Sequence, residues 1–152
     1  MTGQEAIENL FKTIEISEEA MTWLNRSYGI CEKIGIKDEY ADEEFDASET
    51  LTSRYARVSD ILIHKVFRAI DTVELEYGGT IIDVVNRAHK RNLFESVDEI
   101  REIKDIRNEI AHEYIGHDLC GICRDVLRLT PKVFELLESI KEYCKKYQDW
   151  QE

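Results

Sequence analysis

Apolar residues recur every three or four positions along almost the whole chain, and a single proline, Pro131, falls among them. That spacing belongs to a helix of 3.6 residues per turn; a half-buried strand needs alternation, and β-branched alternation is almost lacking. A first helix is predicted from Gln4 to Ser27, with Ile7, Leu10, Ile14, Met21 and Leu24 on one stripe. A second runs from Glu49 to Tyr77 and is stopped by Gly78-Gly79; Leu51, Val58, Leu62, Val66, Ala69 and Val73 form its apolar face. Thr80 caps a shorter third helix with Ile81, Val84, Val85 and Ala88 inward. Ser96, with Glu99 three residues later, has the form of a capping box and starts a fourth. The last begins after Gly116, near Asp118, and runs towards Tyr147; Pro131 either kinks it or starts a new segment with Thr130 as cap. The expectation is an all-α fold: an antiparallel bundle of four to five helices forming one domain over residues 1–152.

Composition narrows the setting. No apolar run approaches the length of a membrane span. The first residues, MTGQEAIENLFKTIEIS, are acidic and amphipathic rather than basic and then apolar, so a cytoplasmic location is expected. A net charge of −12 argues against broad, sequence-independent binding to nucleic acid but leaves room for a small basic site. The acidic run KDEYADEEFDASET (37–50) reads as a solvated loop, with an acidic docking segment as the other option.

One stretch resists the amphipathic pattern. Residues 106–117 read IRNEIAHEYIGH. At about 100° per residue, Ile103, Ile110 and Tyr114 nearly superimpose, and Arg107 falls among them. A guanidinium keeps its charge, and burying it alone costs several kcal/mol. Arg107 therefore requires an acid (Glu109, or one on another helix), a partner surface, or an anionic ligand. His112, five positions on, diverges from Arg107 by about 140° on a straight helix, with Asn108 one turn before it. A loosened helix end or a symmetric second copy would bring the two together. As chemistry, the set suits phosphodiester cleavage: histidine moves protons near neutral pH, and arginine offers a fork of donors to a phosphate.

The stretch RNEIAHEY, with Arg-Asn, three residues, His, one residue and Tyr, resembles the HEPN superfamily. Within it the likeness is to HepT-type toxins, which are encoded beside a minimal nucleotidyltransferase antitoxin. SRYARVSDILIHKVFRAID (53–71) looks like that group's second helix, and the helix order is similar over most of the chain. The resemblance implies the toxin of a type VII-like toxin–antitoxin pair: a metal-independent endoribonuclease, without cofactor, acting as a homodimer. Its two Arg-x4-His motifs would face each other across the subunit cleft. Arg107 would hold the scissile phosphate, His112 would assist attack by the ribose 2′-OH, and Asn108 would support the geometry. Tyr114 matches the tyrosine to which the antitoxin adds AMP. The alternative is a non-catalytic module that binds substrate or nucleotide for such a nucleotidyltransferase.

Two further patterns remain. Arg54, Arg57, His64, Lys65 and Arg68 project within about a third of a turn of one another, a basic strip suited to RNA. Asp60, Asp71 and Glu74 fall on the far side. Cys120 and Cys123, with His112 and His117, have zinc-like spacing, but two cysteines three apart on a helix are more often core residues, and no metal site is assigned.

Overall fold

Thr2 opens the first helix by the chemistry its position calls for. In the computed structural model, which describes residues 1–112 and 119–150, its hydroxyl accepts from the Glu5 N–H and the Glu5 carboxylate accepts from the Thr2 N–H. Two orphan donors of the first turn are thereby satisfied. The helix, α1 (Gly3–Ile34), continues past the expected end at Ser27 to Gly35, whose φ of 77° is open to glycine.

The acidic run is mostly helix rather than loop. α2 spans Asp42–Asp60, with Asp42, Glu43 and Glu44 in its first turn, where carboxylates oppose the positive end of the helix dipole. Glu44 also pairs with Lys37. A wide π turn, Ile61–Val66, follows without a break and leads into α3, Phe67–Val73. The helix ends before Tyr77, and the chain turns through Leu75, Gly78 and Gly79, all at positive φ. Only glycine fits at position 79, because a Cβ there would lie 2.6 Å from an Asp83 carboxylate oxygen.

α4 (Ile81–Lys90) is capped by Thr80 and Asp83 as expected, with Val84, Val85 and Ala88 buried. α5 (Val97–His112) begins after Ser96, whose hydroxyl accepts from the Asp98 N–H. α6 (Leu119–Cys144) continues past Pro131, so no new segment starts there. Thr130 lies inside it, its hydroxyl donating to the Val126 carbonyl at 2.6 Å, so it caps nothing. A short 3-10 segment, Lys145–Trp150, completes the described chain.

The bundle is all-α, with no strand among the described residues. Counting α2, the π turn and α3 as one unbroken rod gives five helices there. α1 runs antiparallel to the rod, since Cys31 meets Ala47 while Ser27 meets Arg54. It is antiparallel to α6 as well, through Tyr28 on Phe134 and Glu18 with Lys141. Leu10, Leu24, Leu51, Leu62, Phe67 and Ile140 are fully buried where these helices meet. No helix among the described residues is long and apolar enough to cross a membrane.

A charged cluster ties α3 to α4. Asp71 is buried and accepts from Arg87 at 2.9 Å and from Arg91 at 2.6 Å. Arg87 also donates to the Gly78 carbonyl at 2.7 Å, which pins the glycine turn. Arg91 reaches Glu74 at 3.0 Å, and the hydroxyls of Tyr143 and Tyr147 donate to the same carboxylate. Burial raises the Glu74 carboxyl, but those hydrogen bonds outweigh it and hold the group below its usual range.

Candidate functional site

Ile103 and Ile106 anchor α5 in the core and set Arg107 at its rim, facing α2. Tyr55, fully buried on α2, locks the two helices together by donating to the Ile103 carbonyl at 3.0 Å. Arg107 then meets the last residue of α2. Its Nε donates to Asp60 Oδ1 at 2.7 Å and its Nη2 to Oδ2 at 2.8 Å, a two-pronged pair. Both side chains are about one-third exposed, so the pair lies at a surface groove and not inside the core. Asp60 thus lies towards α5, not away from the site. Its two accepted hydrogen bonds hold the guanidinium above its already high ordinary pKa.

The π turn decides what else enters the groove. The Phe67 N–H reaches back to the Leu62 carbonyl, one residue farther than in an α-helix. Turns of this kind are frequent at functional sites. Here it brings Ile63, His64 and Lys65 to the groove beside Asp60, while α5 supplies Lys104, Arg107 and Asn108. The space measures about 460 Å³. Three cations against one carboxylate make it locally positive in a chain of net charge −12. Partial burial, and then Lys104, Arg68 and Arg107, push the His64 imidazole below its ordinary pKa, with Asp60 opposing. A neutral imidazole at pH 7 is the form that accepts a proton. Ser59, almost fully buried, also lines the groove, and its hydroxyl has no hydrogen-bond partner of acceptable geometry although Tyr55 is close.

The structure separates some of the predicted residues. Asn108 is exposed and lines both this groove and the cleft next to it. His112 is exposed at the last residue of α5 and is not part of the groove wall. Tyr114 and His117 lie outside the described residues. The basic strip divides. Lys65 lines the groove and Arg68 lies exposed within electrostatic reach of His64. Arg54 turns to α1, donating to Ser27 Oγ at 2.7 Å and to the Trp23 carbonyl at 3.1 Å, with its guanidinium over the Trp23 ring. Arg57 borders a separate shallow depression beside Asp46 and Glu49. Cys123 follows the core reading, buried with its thiol pushed up to about 11 by burial, whereas Cys120 is only half-buried and points to the Asp38 carbonyl. Among the described residues no three metal-binding side chains converge.

Sequence reasoning left out Ser59 and Lys104 and put Asp60 on the far side from the basic residues. Asp60 lies 47 residues from Arg107, and no local pattern links them. Lys104 was detectable, being one turn before Asn108 on the same helix. Comparisons of the chain with family models, curated proteins and solved structures give no match.

Proposed function

We propose that the protein is an RNA-cleaving enzyme whose phosphate site is the groove around Arg107. The observation that carries this is the guanidinium held on Asp60 between Lys65 and Lys104, a positive site in an acidic protein. A scissile phosphate would exchange with or add to the Asp60 contact, since Arg107 binds both through the same planar fork. Asp60 would act as a positioning residue that keeps the fork aimed at the groove. His112, supplied by the second copy of a homodimer, would take the proton from the 2′-OH, as the resemblance to HepT-type toxins implies. In that scheme no metal or cofactor takes part.

The test is cleavage of single-stranded RNA in the presence of EDTA. Products with a 2′,3′-cyclic phosphate and a 5′-hydroxyl are expected, because the 2′-OH is the internal nucleophile. Strict dependence on a divalent ion would reject the mechanism. In the same scheme a minimal nucleotidyltransferase antitoxin, supplied with ATP and Mg²⁺, adds AMP to Tyr114. Intact-mass and peptide spectra should place the adduct on that residue, and an adduct only elsewhere would end the regulatory part.

One observation favours a second reading. His112 stands apart from the groove that holds Arg107. A module that binds nucleotide for a nucleotidyltransferase needs the groove but not the histidine, and would bind RNA or nucleotide without cutting it.

A further inference from the structure

The groove does not end at Asn108. Lys104 and Asn108 line it on one side and, on the other, line a second cleft of about 260 Å³ between α4 and α5. That cleft has a different character. Ile82, Val85 and Ile100 make its walls apolar, while Asn86, Asp105 and Asn108 put amide and carboxylate groups along its edge. Ile82 is 66% exposed, so its side chain is open to a ligand. The cleft is a little smaller than the roughly 300 Å³ at which pockets for whole small molecules begin.

We infer that this cleft seats the base of the nucleotide whose phosphate lies at Arg107, so that α4 sets base preference. The inference rests on the phosphate-site reading above. A nucleobase is a flat apolar ring with donors and acceptors on its rim, and the cleft offers two apolar walls with a polar edge. Phosphate and base of one nucleotide are joined through a ribose, and Lys104 and Asn108 are the shared wall at which that ribose would cross. Asp105 accepts hydrogen bonds only, so it favours a base that turns an N–H donor towards it, as the amino groups of adenine, cytosine and guanine can. A second copy of the chain covering Ile82 is the rival occupant. Such a copy would show no dependence on a base.

The experiment uses the whole chain and two probes, 5′-AMP and ribose 5-phosphate, followed by isoleucine methyl NMR and calorimetry. AMP should bind about tenfold or more tightly than ribose 5-phosphate, as burial of the base faces against aliphatic walls would give. It alone should shift the Ile82 and Ile100 methyl signals. Ile82→Glu, at an exposed position the fold tolerates, should remove the advantage of AMP and leave ribose 5-phosphate binding as it was. Asn86→Ala should reduce the advantage in part. Equal or undetectable binding of the two probes, shifts confined to other isoleucines, or an unchanged preference in Ile82→Glu would each overturn the inference. The nuclease reading fails separately. AMP binding here by a chain that cuts no RNA keeps the base cleft and rejects the nuclease, and RNA cutting without base-dependent binding does the reverse.

Discussion

Asp71→Ala is expected to cost about 3–5 kcal/mol of folding stability, the range found when one partner of a buried ion pair is removed. Asp71 has only 5% of its side chain exposed, and the Arg91 side chain against it only 7%. Alanine would leave Arg91 to Glu74 and a distant Glu76, and Arg87 to the Gly78 carbonyl. Neither guanidinium can discharge itself, so Arg87 keeps its charge with only a carbonyl against it and Arg91 loses its shortest ion pair. For a domain stable by about 5–15 kcal/mol this is a large fraction. Asp71→Asn keeps the shape and one acceptor and should lie between. Urea denaturation of the three proteins measures it, and a loss below about 1 kcal/mol for alanine would mean that the cluster is hydrated like a surface pair. The consequence reaches the site, because the same contacts hold α4 and the glycine turn in place beside α5.

How much of this was legible follows from where the determining contacts lie. The stripes on α1, α4 and α6 are local, repeating within one or two turns, and they fixed the helices that carry them. Caps at Thr80 and Ser96 are local too. The acidic residues 42–44 were misjudged because composition alone does not distinguish a solvated loop from a helix start; their clustering in one turn does. Asp71 and Glu74 were placed on the side away from the basic strip by assuming one uniform helix through residues 49–77. The π turn breaks that uniformity and changes the phase of everything after it, as His64 and Lys65 show. At the site, the sequence posed the right question about Arg107, and one of the answers it allowed, an acid on another helix, is the one observed. Which acid it is depends on how α2 crosses α5, and that is set by the core around Tyr55 and Ile103 rather than by any spacing.

Arg107→Ala and His112→Ala should each lower RNA cleavage by about 10²–10⁴-fold, the usual loss for a missing charge stabiliser or proton-transfer group. Neither should disturb the fold much, since Arg107 is only partly buried and His112 is exposed. The stronger expectation concerns their mixture. Arg107 turns to Asp60 while His112 leaves the helix about 140° away, so one chain does not aim both at one phosphate. A site built from Arg107 of one copy and His112 of the other resolves this, and a two-fold dimer would hold two such sites. Refolding the two inactive variants together then gives heterodimers in which one site keeps both groups and the other keeps neither. With random pairing, about a quarter of wild-type activity should return. No recovery, from a mixture shown by sedimentation to have formed dimers, would reject the shared site. Full activity in His112→Ala together with loss in His64→Ala would transfer the proton to the imidazole already in the groove. That outcome is chemically open, because burial and Lys104 keep His64 neutral at the pH where a base is needed. The pH profile tests the role of His64 further. A reaction depending on His64 as base should persist below pH 6.5 and fall only as that depressed group protonates.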